Sequence, residues 1–175
     1  VNAIVVRSGL AYLATGPGAS GVKNPLKIFD IDPISPTYKQ QVGSFTATGN
    51  EQGTSLYLLG SKLYLGLEKA TSGRPDFFIL NIFQPSLISI LASVNLNLNS
   101  FSQVTGIRVA GSLAFLGISD PNDGFQVRDI SRSTIDRIAT FNFQQNTTGI
   151  DYENNTIYLS AESGSKNLEI VGPGP

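Results

Sequence analysis

Apolar and polar residues alternate with a period of two along most of the chain, and no stretch carries a helical period. Such alternation places every second side chain on the same face of a β-strand, so the elements expected are strands. The same short pattern recurs four times: Ile4–Leu13, Leu56–Leu65, Ile107–Leu116 and Ile150–Leu159 fall into one register. In each copy two apolar runs flank a pair of small or turn-forming residues, Ser8-Gly9, Gly60-Ser61, Gly111-Ser112 and Asn154-Asn155. These residues tolerate positive φ, which a two-residue hairpin needs. An aromatic follows at one fixed place, Tyr12, Tyr64, Phe115 and Tyr158, with spacings of 52, 51 and 43 residues.

A third strand is expected after each hairpin, at Leu26–Ile31, Phe77–Ile82, Phe125–Ile130 and Leu168–Val171. A fourth is expected in the first three copies, at Tyr38–Phe45, Ser89–Val94 and Asp136–Phe143. Four-stranded units repeating every 43–52 residues are the sequence form of β-propeller blades. The fold expected is therefore all-β, a β-propeller or propeller segment of about four blades, the last lacking its outermost strand. Blade boundaries fall near 1–48, 49–98, 99–145 and 146–175. A β-sandwich is the competing architecture, and it predicts no common register.

The repeated unit resembles the LVIVD-repeat β-propeller family, whose blades combine a hairpin ending in an aromatic with a third strand closed by Asp-Ile and prolines. The best copy is Ile28-Phe29-Asp30-Ile31-Asp32-Pro33-Ile34-Ser35-Pro36. The second and third copies depart from it, with Asn81 in place of the Asp and no prolines across Arg132–Ile135. The resemblance implies an exported or surface-attached protein, of a kind that includes pilin-like molecules, and carries no catalytic motif.

Three absences narrow the chemistry. The chain has no His and no Cys, so imidazole bases, thiolate nucleophiles, disulfides and zinc–thiolate sites are excluded within its 175 residues. It also has no Met, which leads to the expectation that Val1 follows a processing point in a longer product. The 12 basic and 13 acidic residues give a net charge of −1, without general attraction to nucleic acid. No apolar run reaches the ~18 residues of a membrane span. No cofactor is expected.

In propeller geometry the loops between strands two and three open on one face, together with the connections between blades. Here they are the longer ones, Gly16–Pro25, Glu68–Pro75, Ser119–Gly124 and Glu162–Asn167, against two-residue hairpins on the opposite face. Lys23, Asn24, Glu68, Lys69, Arg74, Glu162 and Lys166 on these loops are the candidate binding-face residues. Asp120, Asn122 and Asp123 supply oxygen donors that suit calcium, but in the order an ordinary Asp-Pro/Asp-Gly turn also uses, and the turn is the preferred reading. Asp30, Asn81 and Asp129 recur at one position, which suits turn caps better than acid–base chemistry. The aromatic position suits a packing layer between blades better than a sugar platform.

The function expected is a non-enzymatic extracellular or cell-surface recognition or adhesion scaffold. Its loop face would meet a protein or glycan. The alternative is a structural subunit or outer decoration of a pilus, filament or surface layer, with a carboxylate-based hydrolase a distant third. The incomplete fourth blade admits three arrangements: a small four-bladed ring with one short blade, the C-terminal part of a larger six- to eight-bladed propeller, or two copies completing one ring. The start without Met favours the second, so a missing segment or a second copy is expected to complete the ring.

Overall fold

The computed structural model describes residues 1–16, 24–47, 51–69, 73–162 and 167–172. Among them are fifteen strands in four antiparallel sheets, and no helix. Sheet one is β1 (Ala3–Arg7), β2 (Leu10–Ala14), β3 (Leu26–Asp30) and β4 (Gln41–Phe45). Sheet two is β5 (Gly53–Leu59), β6 (Lys62–Leu67), β7 (Phe77–Asn81) and β8 (Ser89–Val94). Sheet three is β9 (Val104–Ala110), β10 (Leu113–Ile118), β11 (Phe125–Asp129) and β12 (Asp136–Phe141). Sheet four has three strands, β13 (Thr147–Glu153), β14 (Thr156–Ala161) and β15 (Leu168–Val171). Strands in each sheet lie in chain order, so every unit is a meander.

The four expected hairpins form with one register, pairing Ile4 with Leu13, Leu56 with Leu65, Ile107 with Leu116 and Ile150 with Leu159. Both central residues have positive φ at Ser8-Gly9 and Asn154-Asn155, whereas only the glycine does at Gly60-Ser61 and Gly111-Ser112. The strand expected to begin at Tyr38 begins at Gln41. Lys39 adopts φ +63°, and its N–H bonds back to the Asp30 carbonyl, so the chain is still turning at that point.

Sheets stack face to face through residues at identical repeat positions. Between sheets one and two, Tyr12, Leu26 and Ile28 meet Leu56, Leu65, Phe78 and Leu80. Between sheets two and three, Tyr64, Phe77 and Ile79 meet Ile107, Leu116 and Ile118. The third interface sets Phe115 and Phe125 against Ile150, Ile157 and Leu159. Each cluster is apolar surface removed from water, which makes the three interfaces the main source of stability. The recurrent aromatic is thus an inter-sheet layer. Tyr64 is 2% exposed, and Tyr158, with no following sheet to cover it, is 36% exposed.

Strands β1, β5, β9 and β13 are successive neighbours, so one edge of every sheet converges on a common line. Sheet four does not pack on sheet one as the adjacent sheets pack on each other. The assembly is an open arc.

Candidate functional site

Two rims bound the arc. One carries the hairpins and also the turns from strand three to strand four, because Ile31, Ile82 and Ile130 donate their N–H groups to Gly9, Ser61 and Ser112 in the hairpins. This rim is therefore larger than the two-residue hairpins expected there from the sequence: its strand-three turns present Ile34, Phe83 and Leu87 to solvent. The other rim carries the longer loops and the connections between sheets.

On that second rim the segment Asn95–Gln103, between β8 and β9, is held from three sides. Leu96 and Leu98 are buried in the core cluster between sheets two and three. The Leu96 N–H donates to the Asp76 carboxylate at 2.6 Å, Asn99 Nδ2 donates to Asp120 Oδ2 at 2.6 Å, and the Lys69 N–H donates to the Ser102 carbonyl at 2.7 Å. Within the segment, Asn97 at φ +59° is supported by the Asn95 side chain, which accepts the Asn97 N–H at 2.7 Å. Phe101 stands at the tip with φ +67° and its ring fully exposed. A non-Gly aromatic at positive φ is an outlier that persists where the surrounding bonds fix it.

Two open clefts flank that ring, each of about 510 Å³. Asn99, Ser119, Asp120 and Asn122 line one, and Gln52, Glu68 and Lys69 line the other, with Phe101 in the wall of both. An exposed aromatic between two polar hollows is the composition of a recognition hot spot: an apolar anchor with hydrogen-bonding groups around it.

The candidate residues sort unevenly. Lys23 and Lys166 lie outside the described residues. Glu68 accepts the Gln52 N–H at 2.9 Å and the Gln52 amide at 2.7 Å, and at the same repeat position Ser119 accepts the Gln103 N–H and Glu162 accepts from Asn146. Glu68 and Glu162 are therefore also repeated clamps that tie the loop after strand two to the start of strand one. Asn24 accepts hydrogen bonds from Thr15 and Thr46. Lys69 lines the cleft beside Phe101, whereas Arg74 is simply exposed.

The calcium candidates do not converge. Asp120 accepts from Asn99, Ser102 and the Asn122 N–H, as an Asx turn does, while Asp123 faces Gln126 and Thr140. Among the described residues no group of three or more Asp or Glu could hold a metal. Asp30, Asn81 and Asp129 each accept the N–H two residues on, at 2.9, 3.0 and 2.8 Å, and cap their turns. Hydrogen bonds from Ser35 and Thr37 hold the Asp30 carboxyl below its usual pKa, and the bond from Ser131 does so for Asp129.

Asp76 behaves oppositely. It is fully buried, one carboxylate oxygen has no partner, and desolvation pushes its pKa up to about 6 despite the bond from Leu96. Across the same interface, burial lowers Arg128 to about 10, and Gln126 accepts from its guanidinium.

An apolar cavity of about 580 Å³ lies between sheets three and four, lined by Leu113, Val127, Ile138, Phe141, Tyr152 and Val171. In the two preceding interfaces the residue before strand four, Ile88 or Ile135, packs into the core. Sheet four has no described strand to supply one, and the cavity follows from that.

No family profile and no curated protein matches this sequence. Solved structures do match. BamB from Moraxella catarrhalis aligns with 95% of this chain and 42% of its own at TM-score 0.54 and 16% identity. Sqt1 from Saccharomyces cerevisiae aligns with 78% of this chain and 37% of its own at TM-score 0.56 and 12% identity. Both are β-propellers. The fold is a β-propeller. At these identities the likeness extends to the fold alone, and the chain spans about two-fifths of either neighbour's length.

Proposed function

We propose that this propeller arc is a non-enzymatic recognition scaffold that engages a protein or glycan through its loop rim, with Phe101 as the anchor. The observation that carries the reading is a fully exposed aromatic held at positive φ between two polar clefts. Leaving such a ring in water while fixing its backbone costs free energy, which a bound partner returns by covering it. The segment beneath is already pinned by Asp76, Asp120 and Lys69, so little ordering is left to be done on binding.

The recurring carboxylates are spent on caps and turns, which favours binding over hydrolysis. The resemblance to LVIVD repeats supports display outside the cell. A structural role in a filament or surface layer is the second reading, favoured by the apolar side chains left open on the end sheets.

The test is a binding screen of the whole chain against surface-protein extracts and a glycan array, repeated with Phe101→Ala and Lys69→Ala. A saturable ligand whose binding falls at least tenfold in Phe101→Ala, with the circular dichroism unchanged, supports the reading. Binding that survives in Phe101→Ala and is lost on substituting Phe83 or Ile34 moves the site to the opposite rim.

A further inference from the structure

The two clefts beside Phe101 are lined quite differently from the sheet interfaces. Among their described residues only Phe101 and Pro121 are apolar, and the rest carry amide, hydroxyl, carboxylate or, at Lys69, ammonium groups. The carboxylates are already engaged within the chain. Asp120 accepts from Asn99, Ser102 and the Asn122 N–H, and Glu68 accepts twice from Gln52. Left without a hydrogen bond to the described residues are the Ser100 hydroxyl, the side-chain amides of Asn122 and Gln103, and the Lys69 ammonium. Asn146 adds a sharper sign. Its side-chain NH2 donates to Glu162 at 2.9 Å, while its Oδ1, in a residue that lines the first cleft, is buried without a donor. A buried acceptor left unpaired costs free energy until something bound there supplies the donor.

We propose that this rim binds a neutral oligosaccharide, laid across Phe101 with hydroxyl groups reaching into both clefts. This names the ligand class for the recognition function proposed above and rests on that function. Three features select a sugar over a protein segment. First, a pyranose has a face of C–H groups that can stack on the exposed Phe101 ring, and an edge of hydroxyls that are donor and acceptor at once. Amide and hydroxyl side chains offer the same pairing of donor and acceptor, and they are the groups the clefts leave free. Second, a protein anchor buries apolar side chains in a dry pocket, and neither cleft has an apolar floor to receive one. Third, Lys69 is the one cation in the described walls, and Asp120 and Glu68 stand close enough to the clefts to repel an acidic sugar.

Each cleft, at about 510 Å³, has the size of a small-ligand site, and Phe101 belongs to both walls. A ligand that fills both therefore passes over the ring and needs at least two sugar units to do so.

Two probes test the assignment with the intact chain: a printed array of neutral and acidic oligosaccharides, and surface-protein extract before and after periodate oxidation. Periodate cleaves vicinal diols and leaves peptide epitopes in place. The expected result is saturable binding to neutral oligosaccharides, with Kd between roughly 10 μM and 1 mM because the clefts are open. Raising NaCl from about 0.1 M to about 0.5 M should change that Kd less than about twofold, since no ion pair holds the ligand. Phe101→Ala should weaken binding at least about tenfold, and Phe101→Leu nearly as much, whereas Phe101→Trp keeps a flat ring and should retain it. Asn122→Ala and Gln103→Ala should each weaken it roughly two- to tenfold. An unchanged circular dichroism spectrum in each variant separates a lost contact from a lost fold. Phe101-dependent binding to extract that survives periodate, with no neutral sugar bound on the array, overturns the sugar and leaves the recognition function standing. Full binding by Phe101→Leu, or a preference for acidic glycans that salt abolishes, does the same. Binding that Phe101→Ala leaves intact, or no binding to either probe, overturns both.

Discussion

Ile4 and Leu56 occupy the same place in two copies of one motif, share a register and point toward the preceding sheet, yet one lies in solvent and the other in the core. The difference is in what stands opposite. Leu56 faces Tyr12, Leu26 and Ile28 of sheet one, whereas among the described residues no sheet is stacked on Ile4. Sequence pattern writes a face for burial, and the position of the sheet in the array decides whether it is buried.

The largest effects should come from breaking that equivalence. Leu56→Ala should cost about 2–5 kcal/mol in urea unfolding, because it leaves a hole between two sheets, whereas Ile4→Ala at concentrations where the chain is monomeric should cost less than ~1 kcal/mol. Equal losses would mean that sheet one is covered. A smaller and pH-dependent effect is expected at Asp76. Its folded pKa is raised to about 6, so the protonated form stabilises the fold, fully below the ordinary carboxylate range, and that contribution is lost as pH rises through 6. Asp76→Asn keeps an acceptor for Leu96 and removes the buried charge. It should gain about 1–3 kcal/mol at pH 8 and little at pH 4, read as a flatter curve of stability against pH. Asp30 and Asp129 have lowered pKa values and contribute in the opposite sense, with stability lost as pH falls through their folded values. The smallest change in stability belongs to Phe101→Ala, within about 0.5 kcal/mol, since the ring touches mainly water. A large loss there would make Phe101 a packing residue and remove the anchor from the proposed function.

Much of the fold was legible because it is copied. Four hairpins, the aromatic at Tyr12, Tyr64, Phe115 and Tyr158, and the caps at Asp30, Asn81 and Asp129 repeat, and repetition turns weak local signals into a consistent one. The site was less legible for the same reason. Phe101 occurs once, in a run where Leu96 and Leu98 alternate with asparagines, and nothing in that pattern says which apolar residues turn inward. Its exposure depends on Asp76, Asp120 and Lys69, which reach the segment from other loops. The burial of Asp76 was equally hidden, since an Asp after Pro75 reads as a turn residue until the packing of Leu96 over it is seen. Glu68 and Glu162 were expected as binding residues, and their shared position with Ser119 is a signal of a repeated structural role that the sequence did contain.

Thiol labelling measures the central claim most directly, because the chain contains no cysteine of its own. Four single variants, Ile4→Cys, Leu56→Cys, Ile107→Cys and Ile150→Cys, place a thiol at one repeat position in each sheet. At concentrations where the chain is monomeric, Ile4→Cys should react within about tenfold of the unfolded rate, and the other three should be slowed by roughly a thousandfold or more, since they react only through opening. Uniform protection at all four positions, or labelling of Leu56→Cys as fast as Ile4→Cys, would contradict an open arc of stacked blades.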